Sequence, residues 1–166
     1  MKLLGKVYVY TENKLTGAVA FQEYDGKELT ASVCGSKKTG KIIDGQFCFT
    51  MERPENLEII SAEYINKIFE VEYTGITLSS NNVRGFVIPS FFINDSEKYF
   101  CLTKENYRGT SWTKESVMYA YVDKDITVSG KTVSLTFKAG WNAVYNNMIT
   151  QAISLANPKH LRWTLK

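Results

Sequence analysis

Apolar and polar residues alternate with a period of two along most of this chain. Val133, Leu135 and Phe137 alternate with Thr132, Ser134 and Thr136, and Leu161, Trp163 and Leu165 alternate with Arg162, Thr164 and Lys166. Leu29, Ala31 and Val33 alternate with Thr30, Ser32 and Cys34, and Phe47, Phe49 and Met51 oppose Cys48 and Thr50. Successive side chains of a strand point to opposite faces, so each run predicts a strand with one face in a core and one towards water. Residues 117–122 are apolar on both faces, which predicts a strand covered on both sides. Residues 6–10, 17–22, 56–60, 75–79, 85–94 and 141–145 are further strand candidates, rich in the β-branched and aromatic residues that suit a pleated surface. One window, 61–69, breaks the period: Tyr64, Ile65, Ile68 and Phe69 recur at helical spacing behind Ser61, a residue type that caps helix starts.

Turn chemistry separates these runs. Asp25-Gly26, Lys38-Thr39-Gly40, Asp44-Gly45, Ser80-Asn81-Asn82, Ser129-Gly130 and Ala139-Gly140 each predict a reversal, because Gly and Asn reach backbone angles that other residues resist. Many short strands with frequent turns predict an all-β fold of two packed antiparallel sheets, a β-sandwich, with at most one short helix. No linker divides the 166 residues, which are expected to form a single domain, 1–166. A Gly-Lys turn feeding an alternating strand occurs twice, at Asp25-Gly26-Lys27 and Ser129-Gly130-Lys131. That echo defines the alternative of two related β halves, about 1–75 and 76–166.

Composition narrows the function classes. Hydrophobic residues make up 44% and charged residues 22%, enough apolar material for a packed core and inconsistent with disorder. A net charge of +3 without clustering gives no nucleic-acid signature. No apolar run approaches the roughly 18 residues that cross a membrane as a helix, and the two leucines after Lys2 are too few for a secretory signal. Cys34, Cys48 and Cys101 lie in apolar, strand-like runs without a zinc spacing and are expected as small buried hydrophobes; a Cys34–Cys48 bridge is compatible with the sequence but nothing in it requires one.

Motifs for catalysis are sparse. No nucleophile elbow, phosphate-binding loop or dinucleotide fingerprint is present, and the only histidine, His160, reads as a surface residue in the turn before the last strand. Asp123-Lys124-Asp125 is the best carboxylate pair: at a strand end both carboxylates would share a face, and such a pair can act as acid and base or contribute to a cation site. Two carboxylates supply too few oxygens for calcium, so a solvated turn is the plainer expectation and no metal or cofactor is expected. Aromatics are abundant, with 10 Tyr, 9 Phe and 3 Trp. Most belong in a core, but polar neighbours make the loop around Tyr107, Arg108 and Trp112 the best candidate for a binding surface, with exposed rings on which sugars could stack.

Two stretches resemble known proteins. Gly40-Lys41-Ile42-Ile43-Asp44-Gly45-Gln46-Phe47-Cys48-Phe49-Thr50, followed by Pro54 and Leu57, resembles a hairpin of transthyretin-like, carboxypeptidase-regulatory-type β-sandwich domains. Together with it, Tyr119 to Gly130, continuing through Leu135, Lys138-Ala139-Gly140-Trp141-Asn142-Ala143-Val144-Tyr145 to Leu161-Arg162-Trp163, is similar to uncharacterised bacterial cell-envelope lipoproteins. The resemblance implies an all-β, non-enzymatic binding or structural module of the cell envelope or cell exterior, lipid-anchored in its full-length precursor, with a glycan or an envelope protein as partner. It implies no particular site residues. The alternatives from the residues themselves are a carbohydrate-binding module using the aromatics near Tyr107–Trp112 and a hydrolytic enzyme using Asp123 and Asp125.

Overall fold

Strand-forming sequence dominates, and the described residues pair most of it into sheets. The computed structural model describes residues 1–11, 14–16, 28–33, 36–44, 46–69, 75–88, 91–95, 98–106, 115–131, 133–147, 150 and 152–165. In the first half the strands are β1 (Lys2–Thr11), β2 (Lys14–Thr16), β3 (Glu28–Val33), β4 (Ser36–Ile43), β5 (Gln46–Thr50) and β6 (Glu58–Ile59). A short helix, α1 (Ala62–Phe69), precedes β7 (Thr77–Leu78), β8 (Arg84–Ile88), β9 (Phe91–Asp95) and β10 (Lys98–Asn106). The remainder forms β11 (Glu115–Val122), β12 (Ile126–Ser129), β13 (Ser134–Phe137), β14 (Gly140–Asn147), β15 (Ala152–Ser154) and β16 (Arg162–Leu165). The result is an all-β fold of antiparallel sheets packed together, consistent with a β-sandwich, with one short helix.

Thirteen strands form the large sheet and three, β13-β12-β7, form a small one. Within the large sheet β9 pairs with both β3 and β10, so β9, β10, β16, β1, β5, β4 and β3 follow one another around a closed ring. Beyond the ring, β11 pairs with β14 along its whole length, while its other edge meets β10 near Glu115 and β8 near Val122. Among the described residues one pairing departs from the antiparallel expectation. β16 runs parallel to β1, with Val7 opposite Trp163, because it fills the gap between β10 and β1 and its direction is set by antiparallel pairing with β10.

β11 is the strand that the sequence marks as apolar on both faces, and it serves two cores. Val117 and Tyr119 point to one face, where Tyr119 stacks on Trp163 with ring centroids 6.0 Å apart. Met118, Ala120 and Val122 point to the other face and join Val144 from β14. The small sheet (Ile126, Val128, Leu135 and Phe137) and Ile65 of α1 complete that second core. Burying these side chains stabilises the fold by roughly 1.5–3 kcal/mol each relative to leaving them in water. Burial pushes the Tyr119 phenol well above its usual pKa, since the charged form has lost its solvent.

Local signals explain most elements. Ser61 caps α1 as its spacing predicts, its Oγ accepting the Tyr64 amide at 3.0 Å, and the helix then buries Ile65 against the sheet. The Asp44 turn is a two-residue hairpin joining the paired Ile43 and Gln46, with Asp44 at φ 52°, an angle that Asp tolerates better than most residues. Lys38-Thr39-Gly40 is not a turn: β4 runs straight through it, because hydrogen bonding to β3 and the alternation around it outweigh one permissive glycine. The reversal lies instead between the paired Val33 and Ser36. Residues 85–94 are two strands rather than one, β8 pairing with β11 and β9 with β10. Thr164, expected on a polar face, is buried, in a strand paired on both edges. The strand candidate at 17–22 lies outside the described residues.

Candidate functional site

Both aspartates of the expected pair lie in the short connection between β11 and β12, but their carboxylates take different partners. Asp123 follows β11, and its Oδ1 accepts the Arg84 amide at 2.9 Å while its own amide donates to the Arg84 carbonyl at 2.9 Å. Asp125 precedes β12, and its oxygens accept the Lys138 ammonium and the Ala139 amide, each at 2.8 Å. These contacts hold the Asp125 carboxyl below its usual range, the Lys138 hydrogen bond contributing most. The connection is thus tied by Asp123 to Arg84 at the start of β8 and by Asp125 to Lys138 and Ala139 before β14. Among the described residues no group of three or more His, Cys, Asp or Glu side chains converges as a metal site.

Of the expected aromatic site, Tyr107, Arg108 and Trp112 lie outside the described residues. The ends of that segment are placed: Asn106 and Glu115 are cross-strand partners at the mouth of the β10–β11 hairpin. Cys48, expected buried, is a half-buried free thiol at a strand position whose neighbour Phe49 takes the core-facing side. Cys34 lies outside the described residues.

The structure gathers polar side chains elsewhere, at the Glu115 end of β11. Glu115 stands directly opposite Asn147 on β14, and Tyr145 is two residues before Asn147 on the same face. Tyr145 donates its hydroxyl hydrogen to Glu115 Oε1, and Asn147 Nδ2 donates to the Tyr145 oxygen at 3.1 Å and to Glu115 Oε1 at 3.4 Å. His160, from the turn before β16, brings Nε2 within 3.3 Å of Glu115 Oε2. Asn147 Oδ1 accepts the Thr150 amide at 3.1 Å, which fixes the orientation of its side-chain amide. Partial desolvation and the neighbouring Glu115 carboxylate raise the Tyr145 phenol above its ordinary pKa.

This cluster joins three chain segments, and its members differ in access. The Glu115 side chain is 21% exposed and that of His160 56%. An ionised carboxylate only accepts hydrogen bonds, so Nε2 of His160 carries the hydrogen it presents to Glu115, and Nδ1 is the nitrogen left for another partner. Nothing nucleophilic among the described residues stands within hydrogen-bond reach of that nitrogen. The arrangement suits binding: donors and acceptors, fixed in place, at an accessible end of a sheet.

Continuing along β14 from Asn147, the same face carries Tyr145, Ala143 and Trp141, all half-buried. Trp141 meets Tyr121 of β11 edge-on, with centroids 5.4 Å apart and planes at 71°, and its indole N–H donates to the Glu52 carbonyl at 2.8 Å. Strand pairing and that hydrogen bond hold the ring in one orientation. By contrast, the cavity between α1 and the sheets, lined by apolar residues such as Ile60, Ile65, Val87, Ile126 and Phe137, measures about 20 Å³. It is a packing gap on the scale of one water molecule, far below the volume of a ligand pocket.

Sequence reasoning reached only part of this. Trp141 and Tyr145 stand out as aromatics on a strand, but Glu115 and Asn147 carry no motif, and His160 reads as an isolated surface residue. The available signal was the period of β14: extending the alternation beyond Tyr145 places Asn147 on the same face. Comparison with models of known families, with curated proteins and with solved structures returned no match.

Proposed function

We propose that this protein is a non-enzymatic binding or structural module of the bacterial cell envelope, held at the membrane by a lipid anchor in its full-length precursor. The observation that carries the binding reading is how the polar side chains are used. Asp123 and Asp125 are engaged by backbone amides and Lys138 within turns, whereas Glu115, Tyr145, Asn147 and His160 come together at an accessible sheet end. The hydrolytic alternative gains no support from that division, since a general acid and base need to face one reacting centre. The envelope assignment rests on the sequence resemblance of the stretches around Asp44-Gly45 and Tyr119–Gly130.

Two measurements test the reading separately. Fractionation of the native cells followed by intact-mass analysis is expected to find the protein with membranes, carrying a diacyl- or triacyl-modified cysteine upstream of residue 1. An unmodified soluble chain beginning at Met1 overturns the anchored-envelope assignment. For the non-enzymatic part, ester, phosphoester and glycoside chromogenic substrates are expected to show no turnover above buffer. Turnover abolished by Asp123→Asn or Asp125→Asn, with the fold retained, overturns it in favour of the hydrolase.

A further inference from the structure

We draw no further inference here: the strongest candidate, the cluster of Glu115, Tyr145, Asn147 and His160 at the Glu115 end of β11, belongs to the site already described, and nothing in the structure selects the chemistry of a ligand for it.

Discussion

Gly85 shows how closely two layers meet at a single residue. A Cβ built there would lie 2.5 Å from the Tyr121 carbonyl oxygen and 2.7 Å from Ile60 Cδ1, closer than real Cβ atoms approach. The obstacle on one side is backbone of the paired β11 strand, which cannot swing aside as a side chain can. Gly85→Ala is therefore expected to destabilise the protein by about 1–3 kcal/mol, read as a lower urea midpoint at an unchanged slope. Asp125 sets a second expectation at this scale. Its carboxyl is held below the usual range by Lys138 and Ala139, so its contribution is fully present above the ordinary aspartate pKa and is lost as pH falls through the lowered folded value. Thermal midpoints measured from pH 6 down to the acid limit are expected to fall less steeply for Asp125→Asn than for the parent chain at the lowest pH. The phenols of Tyr119 and Tyr145 behave in the opposite sense. Both are raised in the fold, so the stability they carry is present below the ordinary tyrosine pKa and is lost as pH rises through the folded values. Alkaline titration followed at the phenolate absorbance is expected to leave Tyr119 neutral after the exposed tyrosines have ionised, until the chain unfolds, with Tyr145 ionising after the exposed ones.

At the scale of the element, α1 is a short helix that depends on its cap and on one buried face. Ser61→Ala removes the acceptor for the Tyr64 amide and is expected to cost about 1 kcal/mol in chemical denaturation, with Ser61→Asp largely retaining stability. This helix, the Asp44 hairpin and the strands from β11 to β14 were legible because each depends on local chemistry: a cap, a turn residue, a clean alternation. The straight passage of β4 through Lys38-Thr39-Gly40 was not legible, since it depends on pairing with β3, and no local window contains that information. The same holds for Thr164, whose burial depends on the tertiary surroundings of β16 and not on its local alternation. The binding candidates divide along the same line. Trp141 and Tyr145 announce themselves by residue type, whereas Glu115, Asn147 and His160 acquire meaning only when β11, β14 and the turn before β16 are brought together.

For the whole molecule, the main consequence is that β11 separates two cores. Ile88 packs on the Tyr119 side, and Ile126 belongs to the small sheet on the other. Ile88→Val and Ile126→Val are each expected to cost about 0.5–1.5 kcal/mol. The double variant is expected to equal their sum within about 0.5 kcal/mol in urea titration, because the two sites share no partner across the sheet. A large coupling would mean that the layers yield together.

The parallel seam between β1 and β16 also orders events in time. Val7 meets Trp163 only after everything between them has been made, so during synthesis the edge of β1 waits without its final neighbour. A ring of strands closed by so distant a pair cannot be completed piecemeal as the chain emerges from the ribosome. The ring closes only when β16 pairs with β1, and until then an open strand edge is offered to any other chain nearby. Until β16 is in place, the edge of β1 that it will cover is a template on which a neighbouring chain can pair.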